Sequence, residues 1–175
     1  METKRLLLRP WTEKDAPMLF SLASEPEIGI RSGWAPHRSI EDSLKVIRTY
    51  YSNNRIWAIV LKQTEEIIGC IGYMTGNECN IETGNDEAEA TYWIAKPYWN
   101  KGFCSEALGL LVDYCFREKG FRTLWCCFFT DNPASRRVME KCGFKDTGRT
   151  QYCPFLYGGS KRPVRIMRLH NPYST

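Results

Sequence analysis

Apolar positions change their spacing several times along the chain, and each change marks an element. Arg5 to Trp11 reads as a short strand. Thr12 then offers an N-cap hydroxyl with Asp15 three residues on. This variant of the capping box opens a helix to about Ala23, with Pro17 placed to distort its first turn. A loop rich in Gly, Trp and Pro runs from Ile28 to Arg38 and leads to Ser39, whose hydroxyl caps a second helix through about Tyr51. Ile56 to Leu61 and Ile67 to Met74 read as an antiparallel hairpin across the polar turn Lys62 to Glu66. An acidic stretch, residues 78 to 89, separates them from Ala90 to Ala95, where strand character resumes.

Beyond Gly102, Phe103, Ala107, Leu111, Tyr114 and Cys115 recur at three-to-four spacing, the pattern of a helix packed on a sheet. It runs to Lys119 and ends at Gly120. Arg122 to Thr130 is rich in aromatic and thiol side chains without a turn signal, as expected of a strand buried on both faces. Asn132 and Pro133 suit the N-cap and first position of a further helix that stops at Gly143. Phe144 to Tyr152 and Arg162 to Leu169, joined through Gly158 and Gly159, read as a last hairpin. This order predicts an α/β fold with a mixed sheet and helices on both faces. The segment from Glu89 to Thr130 is one strand–helix–strand unit, so its two strands run parallel. Ligands of such sheets bind beyond the shared carboxyl edge, beside the helix N-termini.

At 175 residues the chain fits one domain, residues 1–175, able to bury roughly two-thirds of its unfolded surface. Hydrophobic residues at 43% and charged residues at 25% exclude a disordered chain. The net charge of +4 is spread out, with no basic block of the kind that tracks a nucleic-acid backbone. The N-terminal apolar run is three leucines, too short for a signal peptide or a membrane span, so the expected location is cytoplasmic. Eight cysteines contain no Cys-x-x-Cys pair and read as reduced, mostly buried thiols. His37 and His170 are far apart, and no metal site is expected.

Candidate chemistry begins at residues 99 to 106, Trp-Asn-Lys-Gly-Phe-Cys-Ser-Glu, where a strand feeds a glycine turn that opens a helix. The first helical turn leaves backbone N–H groups unpaired, the peptide dipoles add partial positive charge, and Gly102 lets a phosphate come close. That points to a ligand carrying a pyrophosphate. A second helix start, at Asn132, converges on the same edge.

Two blocks then resemble a known family. Glu89-Ala-Thr-Tyr-Trp-Ile-Ala-Lys-Pro-Tyr-Trp-Asn-Lys-Gly-Phe-Cys-Ser-Glu-Ala107 and Asn132-Pro-Ala-Ser-Arg-Arg-Val-Met-Glu-Lys-Cys-Gly-Phe144 stand in the order and at the separation of the GNAT acetyltransferase superfamily. Within it the chain looks like the RimJ/RimL-type ribosomal-protein N-terminal acetyltransferases. The resemblance implies the GNAT fold: a mostly antiparallel sheet of about seven strands, splayed between strands 4 and 5, with about four helices on its two faces. Acetyl-CoA would bind in the opening. Backbone N–H groups of Lys101, Gly102, Phe103, Cys104 and Ser105 would hold its pyrophosphate. The main chain near Trp93 and Ile94 would pair with the pantetheine arm, and Asn132 and Ser135 would face the thiol end. The family's usual Gln or Arg at the head of the turn is Trp99 here, read as a packed aromatic, and its small sixth residue is Cys104. Contacts made through amides survive both changes.

Many members of the superfamily carry a tyrosine, the proposed donor to the departing thiolate, where this chain has Met139. Met139 has no proton to give. Ser135 is the nearest matched hydroxyl, a donor to the sulfur on one reading and a helix-capping hydroxyl on the other. Glu89 aligns with the acid before the Tyr-Trp-Ile strand. It is expected either to take the ammonium proton of the acceptor, through water, or to be an exposed, solvated side chain. Trp34, on the Ile28 to Arg38 loop, is a candidate acceptor wall with Glu89. The acidic stretch from Glu78 to Glu89 either draws a cationic acceptor or is simply a solvated loop. The resemblance thus implies an acetyl-CoA-dependent N-acetyltransferase acting by direct attack in a ternary complex, as a monomer or homodimer. Its acceptor would be a primary amine, a protein N-terminus ahead of a polyamine or an aminoglycoside-like amine. A non-catalytic acyl-CoA sensor is the rival that Met139 keeps open.

Overall fold

The computed structural model describes residues 1–154 and 160–173. Its strands are β1 (Leu6–Pro10), β2 (Ile56–Leu61), β3 (Glu66–Met74), β4 (Glu87–Ile94), β5 (Thr123–Phe129), β6 (Lys145–Pro154) and β7 (Lys161–His170). They form one sheet in the order β1-β2-β3-β4-β5-β7-β6. The helices are α1 (Ala16–Ala23), α2 (Pro26–Ser32), α3 (Ile40–Val46), α4 (Phe103–Arg117) and α5 (Pro133–Lys141). Every neighbouring pair of strands is antiparallel except β4 and β5, the parallel pair joined through α4.

Side chains of the strands alternate between two cores. Leu8, Ile59, Ile68, Ile71 and Leu124 pack with α4 and α5 on one face, where Ala107, Leu108, Leu111 and Met139 are buried. Ala58, Val60, Ile67 and Trp93 pack with α1 and α2 on the other, against Leu19 and Ile28. Each of the leucines, isoleucines and valines among them contributes about 1.5–3 kcal/mol by leaving water. The two parallel strands pair only from Glu87 with Thr123 to Ala90 with Cys126. Beyond that point β4 stays with β3 as far as Ile94, while β5 stays with β7 as far as Phe129. The sheet therefore opens between its fourth and fifth strands, as the family resemblance implied.

The expected loop from Ile28 to Arg38 is corrected in its first part, which is helix α2. Pro26 presets the first turn, Glu27 pairs with Arg31 one turn on at 3.2 Å, and Gly33 closes the helix at φ +88°. A Cβ on Gly29 would lie 2.5 Å from the Trp34 carbonyl oxygen, so this glycine admits the returning chain and does not break the helix. The helix opened by Thr12 starts with a 3-10 turn, Glu13–Asp15, braced where the Thr12 N–H and hydroxyl both donate to Asp15 Oδ2. α1 then begins at Ala16, and Pro17 falls in its first turn, where a missing N–H costs nothing. The helix capped by Ser39 is α3, continued to Tyr51 as a π turn. All eight thiols are free; Cys70, Cys115, Cys126 and Cys153 are buried and the other four half-buried. The expected turn at Gly158 and Gly159 lies outside the described residues, while the strands on either side of it pair as expected.

Candidate active site

Where the β4–β5 ladder stops, main-chain groups face an opening with no strand to receive them. The Ala95 N–H donates to the Ile68 carbonyl, which fixes the antiparallel register: Trp93 turns its amide and carbonyl into the β3 ladder, whereas Tyr92 and Ile94 turn theirs toward the gap. Of the two neighbours expected to face a pantetheine arm, the structure thus brings Ile94 to the gap and not Trp93. Ile94 already accepts a 2.6 Å bond from the Trp99 indole N–H, so Trp99 closes the outer end of the gap.

The turn at the head of α4 has the conformation its glycine allows. Gly102 is the N-cap at φ +79° and supplies no side chain to the amides of Phe103, Cys104 and Ser105. A Cβ there would meet only Arg5 Nη2, at 3.5 Å. Arg5 braces the turn from behind: it donates to the Lys101 carbonyl at 3.1 Å, holds Glu106 at 2.5 Å and stacks on Phe103 at 4.4 Å. Cys104 sits among nonpolar neighbours, and burial pushes its thiol well above the ordinary range, which leaves no nucleophile there.

Glu89, on β4 at the floor of the gap, is 2% exposed, so it is not the solvated carboxylate that one expectation described. Asn80 grips it twice, main-chain N–H to Oε2 at 2.6 Å and side-chain amide to Oε1 at 3.2 Å. Gln151 holds the Asn80 carbonyl in turn, at 2.8 Å. Burial raises the carboxyl's pKa, while the Asn80 donors, the Cys127 thiol and the Ile81 N–H hold it back down. A buried carboxyl of raised pKa is a stronger base than one in water.

Ser135 lies on the opposite face, in the first turn of α5. Asn132 caps that helix by accepting the Ser135 N–H at 3.3 Å, so the Ser135 hydroxyl is not the cap. It meets the Tyr92 hydroxyl at 2.9 Å. Met139 is fully buried in the core.

The acetyltransferase (GNAT) domain family matches residues 5–145. The chain belongs to the GNAT acetyltransferase family. Like other GNAT proteins it takes acetyl-CoA as acetyl donor and is an N-acetyltransferase. It is 34% identical over 153 residues to YoaA of Bacillus subtilis, named an uncharacterized N-acetyltransferase, covering 85% of this chain and 84% of that one. Among solved structures, a GNAT-family acetyltransferase from Bacillus anthracis superposes with a TM-score of 0.84 at 20% identity, over 98% of both chains. Spermidine N-acetyltransferase of Vibrio cholerae, in complex with CoA and spermine, gives 0.78 at 20% identity over 97% of both chains. The ribosomal-protein-S5-alanine acetyltransferase of Vibrio fischeri gives 0.75 at 18% identity, over 100% of this chain and 98% of that one.

Trp34 stacks edge-on against Trp93 at 6.0 Å, on the same face of β4 as Glu89. A cavity of about 210 Å³ beside Asn132 is lined by Glu27, Ile30, Arg31, Asp131 and Arg162. The acidic stretch is largely matched by its own partners: Glu78 pairs with Arg55 at 2.8 Å, Asp86 with Arg122 at 2.7 Å, and Glu87 accepts from the Trp125 indole at 2.8 Å. Arg136 is held by Glu140 at 2.8 Å. Among the described residues no group of three or more His, Cys, Asp or Glu could hold a metal ion, and no helix is long and apolar enough to cross a membrane. Tyr92, Asn80 and Arg5 went unread in the sequence. Only Tyr92 carried a signal, a polar tip at an alternate position of a strand about to lose its neighbour.

Proposed function

We propose that this enzyme acetylates a protein N-terminal α-amine, in the manner of the RimJ/RimL-type enzymes, by direct attack on acetyl-CoA held in the β4–β5 gap. The observation that carries the reading is the division of labour across that gap: a buried carboxyl, Glu89, on one face and a hydroxyl, Ser135, on the other, at the point where the ladder ends. Acetyl-CoA supplies an acetyl group already activated as a thioester. The amides of Gly102, Phe103, Cys104 and Ser105 take its pyrophosphate, with Lys101 beside them. The main chain of Ile94 takes the pantetheine arm, and Asn132 and Ser135 face the sulfur. The amine approaches along the Trp34 face, and Glu89 accepts its proton through water.

The modest strength of that base selects the acceptor. An α-amine has a pKa of about 7.7–8.0 and a lysine about 10.4, so freeing the lysine amine at pH 7 costs roughly 3–4 kcal/mol more. A polyamine acceptor is the second reading, favoured by the fold likeness to the spermidine enzyme. Eight free thiols suit a reducing cytoplasm. The test is a panel of N-terminal peptides, spermidine and aminoglycosides incubated with acetyl-CoA, read by thiol release and mass spectrometry. Peptides acetylated only at the α-amine support the reading. Acetylation of spermidine with no peptide product replaces it with the second, and cofactor binding without thiol release from any amine replaces both with an acyl-CoA sensor.

A further inference from the structure

We propose that Tyr92 is a second proton donor to the coenzyme A sulfur, sharing that task with Ser135 through the hydroxyl pair the two residues form across the gap. This rests on the reading of the gap as the acetyl-CoA site. Tyr92 lies two residues past the last β4–β5 pair, so its side chain leaves β4 where the neighbouring strand has already diverged. Its hydroxyl reaches α5, 2.9 Å from Ser135 Oγ and 3.2 Å from the Ser135 carbonyl oxygen. The contact spans the opening on the α4–α5 face.

Counting protons shows why the pair has one to give. Two hydroxyls carry two protons, and the contact between them uses one. When Ser135 Oγ is the donor within the pair, the tyrosine proton is left with the Ser135 carbonyl, an acceptor that also serves the helix and lies farther off than the usual 2.7–2.8 Å of an O–H···O bond; when Tyr92 is the donor, the serine proton is the one left over. Sulfur carrying negative charge is a better acceptor than that carbonyl, since charge-assisted bonds are about twice as strong as neutral ones. As the C–S bond breaks and its electron pair leaves with sulfur, the pair hands over this proton and is refilled from water. A neutral amine loses one N–H proton through Glu89 to water as it becomes the amide, which balances the proton given to sulfur; an acceptor that arrives as its ammonium first releases one further proton to water. Either oxygen can make the delivery. Met139 in the usual tyrosine position is thereby compensated from another element.

The surroundings fit a donor. Burial holds the Tyr92 phenol well above its ordinary pKa, with Cys126, Cys104 and Cys142 adding to the shift and the Ser135 bond opposing it. The groups facing it are those three thiols, from β5, α4 and the end of α5, all themselves pushed up by burial, Cys142 to about 11. They remain protonated where a coenzyme A thiol, of pKa about 8.5, ionises.

The product complex tests this without turnover. Coenzyme A is bound to wild type, Tyr92→Phe, Ser135→Ala and the double variant, and thiolate absorbance is titrated against pH with desulfo-coenzyme A as the blank. The bound thiol should ionise below 8.5 in wild type, higher in each single variant, and at or above 8.5 in the double. At high pH the preference for coenzyme A over desulfo-coenzyme A should fall about tenfold between wild type and the double variant. Unchanged affinity for desulfo-coenzyme A confirms an intact site. A thiol pKa that Tyr92→Phe leaves where wild type has it overturns the assignment of Tyr92. If no form of coenzyme A binds wild type, the acetyl-CoA site itself has been misplaced.

Discussion

Glu89 owes its burial to Asn80 and Ile81, on a loop whose path depends on β6 through Gln151. Burial raises its pKa above the roughly 4.3 of an unfolded Glu. A group whose folded pKa is raised contributes its stability below the unfolded value and loses it as pH rises through the folded value. Glu89→Gln removes that loss, so its melting temperature should fall less between pH 4 and pH 7 than wild type's, and at pH 7 should equal or exceed it. Its acetylation rate should drop about 10²- to 10⁴-fold at neutral pH, with the acidic limb of the pH–rate profile gone. Scanning calorimetry and steady-state rates measure both. A variant that melts lower at pH 7 but not at pH 4 would contradict the reluctant carboxylate, and an unchanged rate at every pH would remove Glu89 from the chemistry. The place of Glu89 before Tyr-Trp-Ile was legible in the sequence, but its burial was not, because the cover comes from a loop positioned by a distant strand. Ser135 was half legible in the same sense: its position followed from Asn132, whereas its partner Tyr92 went unread.

At the scale of elements, sequence periodicity located all seven strands and four of the five helices among the described residues, and the exception has a physical cause. α2 is seven residues with two of its positions taken by Pro26 and Gly29, so it lacks the length that makes a helical period stand out. The turn before α4 was legible because its signal is local: a glycine where φ must be positive. Gly102→Ala tests it. The substituted Cβ has room, 3.5 Å from Arg5 Nη2, so the expected loss of about 1–2 kcal/mol comes from the left-handed backbone alone. Coenzyme A affinity should fall with it as the amides shift. Gly109, mid-helix in α4 with open space at its Cβ, is the internal contrast: Gly109→Ala should stabilise by about 0.5–1 kcal/mol and leave coenzyme A affinity alone. Urea melts and calorimetry separate the two. Equal behaviour of both variants would mean that Gly102 is just a turn residue.

Taken whole, the molecule is two half-sheets, β1 to β4 and β5 with β7 and β6, joined by a parallel ladder only four residue pairs long. Past the ladder they are linked face by face, through Tyr92 to Ser135 on one side and through Arg162, which donates to the Ile30 carbonyl at 2.7 Å, on the other. A ligand whose backbone pairs with β4 while its ends rest on α4 and α5 adds the missing strand contacts. Coenzyme A at a hundred times its Kd should therefore stabilise the protein by about 2.7 kcal/mol, which for a chain of this size is roughly 5–11 °C in Tm. Location discriminates more sharply than magnitude. The amides of Tyr92 and Ile94 face the gap and should exchange with solvent faster than that of Trp93, which is tied to β3, although all three lie on one strand. Adding coenzyme A should slow exchange at Ile94, and at Tyr92 if the arm reaches that deep, while Trp93 stays as it was. Residue-resolved hydrogen exchange reads this directly. Equal protection at the three positions without ligand would mean that the gap is closed in solution. Slowing that spares Ile94 and appears elsewhere would place the cofactor outside the gap.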